Sequence, residues 1–305
     1  MQVCTKIAQG FQMISIRKII ARFYDPLVNI HVGNVIIKSP LSHPLFHAMR
    51  GFKQFGFNTT RLAETIGQKY KDFNIIDIGA NIGDTVAFFR NSVQAEVLCI
   101  EGDDFYFKIL EENSKTLKGV SLFKGIVGSS SGTGNVQIKR ERGTGYIEPS
   151  ATPVKQMSLD DILQANPAFA NAKLFKIDTD GYDSLIIKGA ANYLQRAKPV
   201  VFFEYDPFLL EKNDQQYNAI FDLFRANGYR YALIYMSYGD FIAGIDIADE
   251  ALLQHMLHYF AGRRGAFYGD LCVIHESDKD IFTALCDKEI AHFKKYRNYN
   301  WSPVK

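Results

Sequence analysis

The feature that most constrains this chain is the run Phe73-Asn74-Ile75-Ile76-Asp77-Ile78, followed by the turn Gly79-Ala80-Asn81-Ile82-Gly83-Asp84 and a helix through Val86, Phe88 and Phe89. A short strand that is apolar on both faces belongs inside a sheet covered by helices on both sides, and such sheets are parallel. The pattern continues. Val97-Leu98-Cys99-Ile100 is a second strand ending at Glu101, and Asp103 and Asp104 can cap a helix through Phe107, Leu110 and Leu117. Ser121 to Val127 reads as a third strand, Lys173 to Asp178 as a fourth and Pro199 to Glu204 as a fifth. A helix with Ile220, Phe221 and Phe224 on one face stops at Gly228, and Tyr229 to Tyr235 and Phe267 to Ile274 read as closing strands around a 236–266 insertion, helical from Ala248 to Phe260. Strands alternating with helices over this length predict an α/β fold with an open, mostly parallel sheet.

Residues 1–72 differ in character and read as a helical and hairpin extension ahead of a domain spanning 73–305. Ile16, Ile19, Ile20 and Phe23 have helical spacing. Val28 to Ile37 is a β-rich hairpin turning at Gly33-Asn34, and Thr59 and Thr60 offer N-caps for a helix through Leu62, Ile66 and Tyr70. Within the larger domain, 128–153 is rich in Gly and Ser and reads as a hairpin or mobile flap, with Lys139 to Arg142 as a solvated tip. Ser158 starts a capped helix.

Charge narrows the partners. Thirty-five basic and 33 acidic side chains give a net charge of +2, so there is no electrostatic reason to expect nucleic acid or an anionic membrane. The longest stretch free of Asp, Glu, Lys and Arg, Gly125 to Ile138, is short and Gly-rich, so no transmembrane segment is expected. Cys4, Cys99, Cys272 and Cys286 form no Cys-x-x-Cys pair and read as reduced thiols of a cytoplasmic protein.

In open α/β sheets the ligand sits at the carboxyl ends of the strands, near the point where strand order reverses. Those ends here are Asp77–Asp84, Glu101–Asp104, Gly125–Gly128, Asp178–Asp183 and Glu204–Pro207, and they are rich in acids and glycines. The glycine turn with an acid about 20 residues on suits a ribose-bearing cofactor, the acid accepting both ribose hydroxyls. Asn81 replaces the middle glycine that a pyrophosphate needs, and Asp77 and Asp84 would repel phosphates. A ligand carrying an ammonium and a sulfonium, S-adenosyl-L-methionine, fits better than a nicotinamide dinucleotide.

The segments Asp77 to Thr85, Cys99-Ile100-Glu101-Gly102-Asp103, Ser158-Leu159-Asp160-Asp161, Phe175 to Asp183 and Phe203-Glu204 together resemble the FkbM family of S-adenosylmethionine-dependent methyltransferases, in that family's order. The resemblance implies a Rossmann-like class I methyltransferase sheet, mostly parallel with an antiparallel last strand. It implies that Gly79, Asn81 and Gly83 line the methionine part of the cofactor, that Glu101 holds the ribose, and that Gly102 and Asp103 lie near the adenine edge. Asp77, Asp84 and Ile126 complete the expected cofactor set. Asp180, where the family more often has Glu, and Tyr182-Asp183 are departures that bear on the acceptor pocket.

The activity implied is O-methylation of a small-molecule hydroxyl, a sugar or glycan first among the acceptors. A sugar hydroxyl is a poor nucleophile, so a positioned base should help. Asp178, Asp180 and Glu204, at the ends of adjacent strands, are the candidates, and the same three could instead hold a divalent cation. The plainer reading of Asp180 is a helix cap, and of Glu204 a turn before Asp206-Pro207. Gly128-Ser129-Ser130-Ser131-Gly132 matches a hydrolase pattern but opens no helix. His255 with His258, and His43 with His47, lack a third zinc ligand, though one of the latter pair could enter the acceptor pocket. A nicotinamide-dependent oxidoreductase and a catalytically silent methyltransferase-like binding module are the alternatives from other classes.

Overall fold

The computed structural model describes residues 24–141, 144–212, 219–263 and 268–296. A hairpin comes first, β1 (Leu27–Val32) and β2 (Val35–Pro40), turning at Gly33-Asn34. Helices α1 (Leu45–Gly51) and α2 (Phe57–Lys69) follow. The alternation then begins with β3 (Ile75–Ile78), α3 (Asp84–Phe89), β4 (Val97–Glu101), α4 (Asp104–Ser114) and β5 (Val120–Lys124). A small second sheet contains β6 (Ile126–Val127), β7 (Gly132–Glu141) and β8 (Thr144–Met157). The chain continues through α5 (Leu159–Ala165), β9 (Leu174–Ile177), α6 (Asp183–Lys188), α7 (Ala191–Ala197) and β10 (Val200–Tyr205). It ends through α8 (Pro207–Lys212), α9 (Ala219–Ala226), β11 (Tyr229–Met236), β12 (Phe241–Asp246), α10 (Glu250–Ala261), β13 (Gly269–His275) and α11 (Lys279–Tyr296).

The main sheet has eight strands in the order β12-β11-β13-β10-β9-β3-β4-β5. The five from β10 to β5 are parallel, while β13 runs antiparallel between β10 and β11. This is the mostly parallel sheet with an antiparallel last strand expected from sequence. From β3 the chain goes outward to β4 and β5, then returns to the other side at β9, so the strand order reverses between β3 and β9.

Period-two alternation sorts the strand residues into two cores. Ile76, Ile78, Leu98, Ile100, Phe175 and Phe203 face one layer of helices. Ile75, Val97, Cys99, Leu174, Val200 and Phe202 face the other, which includes α2, α3 and the β1–β2 hairpin. Asp77, Lys176, Glu204 and Asp270 stand two residues from Ile75, Leu174, Phe202 and Cys272, so they share that second face. Asn113, buried in α4, fastens the hairpin to the glycine turn: its amide donates to Lys38 O at 2.9 Å and Ile82 O at 2.8 Å.

Some elements differ from the sequence reading. The expected third strand, 121–127, splits at Gly125, whose N–H bonds Glu101 O at 3.1 Å, and β6 leaves for the second sheet, where it pairs with β8. Thr59 and Thr60 do not cap α2. The helix starts after Gly56, at φ 75°, and the two hydroxyls donate to Gly56 O and Phe88 O. The helix α1, the edge strand β12 and the terminal helix α11 have weak periodicity in sequence and were not expected. The helix proposed at Ile16–Phe23 lies outside the described residues. No helix among the described residues is long and apolar enough to cross a membrane.

The terminal helix is tied to α2 by a bidentate pair, Arg61 Nε to Glu289 Oε1 at 2.9 Å and Arg61 Nη2 to Glu289 Oε2 at 2.8 Å, with Glu289 1% exposed. Removing one partner strands the other charge in a low-dielectric site. Glu289→Ala is therefore expected to destabilise the fold by about 3 kcal/mol, read by urea titration; a loss below about 1 kcal/mol would show the pair to be peripheral.

Candidate active site

The turn after β3 is built by backbone geometry that few residues tolerate. Gly79 has φ 75°, and a Cβ there would lie 1.9 Å from Asp178 O, so the β3 and β9 ends can cross this closely only over a glycine. Asn81 follows at φ 48°, in the left-handed region that asparagine enters more readily than other side chains. Its N–H donates to Glu101 Oε2 at 2.8 Å, and Asp103 N–H donates to Oε1 at 2.7 Å. Burial pushes the Glu101 carboxyl up to about 7, against the pull of these backbone donors. Each oxygen retains a lone pair for a further donor.

Above this carboxylate lies a cavity that opens to solvent. Gly79, Asn81, Glu101, Gly102 and Ile126 line it from the sheet side; Ile138 and Ile147 of the β7–β8 hairpin line it from above. Hairpin and sheet approach closely at Gly102, for a Cβ there would meet Ile138 Cδ1 at 2.6 Å. The hairpin end is held as well. Asp103 caps α4, its Oδ1 accepting from Phe105 and Tyr106 N–H, while its Oδ2 lies 3.3 Å from Arg140 Nε. The Arg140 guanidinium also lies 5.1 Å from the Phe105 ring centre. Arg140 pairs with Asp103 while remaining about half exposed, at the solvated tip that the sequence suggested.

A second cavity, of about 120 Å³, opens beneath α2 on the other side of Asp178, which lines both. Asp84, Lys176, Glu204, Tyr268 and Asp270 contribute to it. Lys176 Nζ lies 3.1 Å from Asp77 Oδ1 and 3.3 Å from Asp178 Oδ2. Burial opposes its charge, but Asp77, Asp178 and Asp84 around it hold its pKa above that of an ordinary lysine. Burial and then neighbouring carboxylates lift Glu204 and Asp270 well above the usual carboxylate range. Asp183, 2% exposed, clamps the two strand ends together: it accepts from Thr179 N–H at 3.2 Å, Thr179 Oγ1 at 2.7 Å and Glu204 N–H at 3.1 Å. Its own carboxyl is pushed up to about 7 by burial.

The residues singled out from sequence therefore divide. Gly79, Asn81, Glu101, Gly102 and Ile126 meet at the first cavity, Asp84 and Glu204 at the second, and Asp178 at both. Asp77 is wholly buried behind Lys176. Gly83 faces Leu110 and Leu117 and allows α3 to pack on α4. Asp180 takes φ 49° in the turn before α6 and lines neither cavity, though its charge helps lift Glu204. His43 is buried edge-on to Tyr106, its pKa lowered to about 4 by burial, and neither it nor His47 lines the second cavity. Among the described residues no three His, Cys, Asp or Glu side chains are grouped to hold a metal ion, so the cation considered for Asp178, Asp180 and Glu204 gains no support.

Sequence reasoning missed Asn58, Lys176, Tyr268 and Asp270 in the second cavity. Asp270 was within reach: an antiparallel last strand brings its first residues, not its last, to the carboxyl edge of its neighbours, and Asp270 pairs directly with Glu204. Asn58 carried no comparable signal.

The family model of the methyltransferase FkbM domain matches residues 77–231. Among solved structures, the chain is similar to the methyltransferase FkbM from Methylobacillus flagellatus KT at 15% identity, covering 53% of this chain and 40% of that one, with a TM-score of 0.38. It is similar to an O-methyltransferase from Bacillus cereus in complex with S-adenosylhomocysteine at 12% identity, over 71% and 80% of the two chains, with a TM-score of 0.38. It is also similar to precorrin-6y C5,15-methyltransferase from Geobacter metallireducens GS-15 at 12% identity, over 67% and 81%, with a TM-score of 0.35. No curated protein matches the sequence. The family match takes in the glycine turn, Glu101, the Lys176–Asp183 segment and Glu204, and the chain belongs to the FkbM methyltransferase family.

Proposed function

We propose that this protein transfers a methyl group from S-adenosylmethionine to a hydroxyl oxygen of a small polyhydroxylated acceptor, a sugar or glycan. The observation that carries the reading is the pair of cavities sharing the Asp178 wall at the carboxyl edge of β9, one bounded by Glu101 and the other by Glu204. The residues of the first cavity fit the cofactor. Glu101 has a free lone pair on each oxygen for the two ribose hydroxyls, Gly79 presents bare backbone, and Ile126, Ile138 and Ile147 offer apolar walls to a purine. The bound cofactor supplies an electrophilic methyl carbon on a sulfonium.

The chain's own residues do the rest. Glu204, in its ionised form, takes the acceptor's hydroxyl proton as the oxygen bonds to the methyl carbon and the carbon–sulfur bond breaks; burial raises its pKa, which makes the ionised carboxylate a stronger base. Asp183 positions Glu204 and the Asp178 loop relative to each other. Lys176 keeps Asp77 and Asp178 compensated, so that the wall between the cavities does not repel itself apart. Cys99, Cys272 and Cys286 are free thiols, which supports a reducing, cytoplasmic setting.

Calorimetric titration with S-adenosylhomocysteine tests the cofactor half. Wild type is expected to bind it and Glu101→Ala to lose it, with NAD giving no heat; a wild type that binds nothing overturns the reading. Because the ribose hydroxyls donate to the ionised carboxylate, cofactor binding favours the deprotonated form of Glu101. Affinity should therefore hold above pH of about 7 and decline below it, by up to about tenfold per unit, and Glu101→Gln should flatten that profile. Glu204→Gln should leave S-adenosylhomocysteine affinity unchanged while slowing methyl transfer, assayed with labelled cofactor and saccharide acceptors, by about 10²–10⁴-fold.

A further inference from the structure

Resting on the methyltransferase reading above, we propose that the cleft beneath α2 takes an acceptor carrying an amino group beside the hydroxyl to be methylated, an amino sugar, and that Asp270 and Asn58 select it. Two independent observations lead there. The first is charge. Asp84, Asp178, Glu204 and Asp270 line the cleft, and the cation among them, Lys176, is already engaged by Asp77 at 3.1 Å and Asp178 at 3.3 Å. Glu204 and Asp270 sit side by side as register partners on β10 and β13. An ammonium lodged there would relieve their repulsion, whereas a carboxylate or phosphate on the acceptor would add to it.

The second is an unspent amide. Asn58, near the start of α2, is 2% exposed and lines the same cleft, and its carboxamide has no hydrogen-bond partner among the described residues. Gly239 faces it at φ 86°, where a Cβ would come within 2.9 Å of Asn58 Oδ1. The amide offers two donors and one acceptor to a hydroxylated ligand. Phe55, Phe88 and Phe202 add apolar wall of the kind that receives the flat C–H face of a sugar ring.

The test is a titration of the full chain, saturated with S-adenosylhomocysteine, with glucosamine, glucose and glucuronate at neutral pH. Saturation fills the cofactor pocket, so the amine reports on the cleft alone. Glucosamine is expected to bind at least about tenfold more tightly than glucose, and glucuronate not to bind. Asp270→Asn should bring glucosamine down to the level of glucose, and Asn58→Leu should weaken both sugars alike, each variant retaining wild-type affinity for S-adenosylhomocysteine. Glucuronate binding as tightly as glucosamine, or binding of none of the three, overturns the proposal. Failure of S-adenosylhomocysteine itself to bind would instead overturn the cofactor assignment on which it rests.

Discussion

The site depends on one buried ammonium. Lys176 stands near the carboxyl end of β9, at the reversal point of strand order, with Asp77 on β3 beside it and Asp178 just past the end of its own strand. Burying a charged group without a partner costs several kcal/mol, and a row of carboxylates at one sheet edge would be worse. The lysine makes that row tenable: Asp77 can be wholly buried and Asp178 can stand between two cavities because a single cation compensates both. The left-handed turn at Gly79 and Asn81 then lies directly over this pair, close enough that only glycine fits above Asp178 O.

Around this centre the two cavities are enclosed by elements of different character. The first has a rigid floor, the β3 and β4 ends, and a roof made by a hairpin with a sheet of its own, joined to the floor through Ile138 over Gly102 and Arg140 on Asp103. The second is roofed by α2, which α11 holds in place through Arg61 and Glu289. The first cavity thus draws mainly on residues 78–147, and the second draws on elements near both ends of the described chain.

This division explains what could be read in advance. The strands β3, β4, β9 and β10 are short and apolar, their ends are marked by Asp77, Glu101, Asp178 and Glu204, and the spacing of the glycine turn points to a ribose ligand. Local patterns of this kind survive in sequence because each is decided within a few residues. The third strand was misjudged because Gly125 lets the chain leave one sheet for another without interrupting the apolar pattern. The edge strand β12, Phe241-Ile242-Ala243-Gly244-Ile245-Asp246, has no alternation of polar and apolar residues and carries Gly244, so nothing local marks it as a strand until β11 is there to pair with it. Lys176 was visible as a residue, but its role required the register with Asp77, and Asp270 required the direction of β13. Asn58 depended on how α2 crosses the sheet, which no local pattern encodes.

The strand order also bears on how the chain reaches its native state. β3 and β4 pair soon after synthesis, but the other edge of β3 waits for β9, whose Leu174 pairs with Ile75 roughly a hundred residues later. Until then Ile75 to Ile78 presents an open edge carrying three isoleucines, and Asp77 among them has no lysine. Long-range pairing of this sort slows folding, and an unpaired hydrophobic edge invites association with other chains. During translation the nascent chain therefore passes through an interval in which its most apolar strand is half-paired and its buried acid uncompensated, and the ribosome's delivery of Lys176 ends both exposures at once.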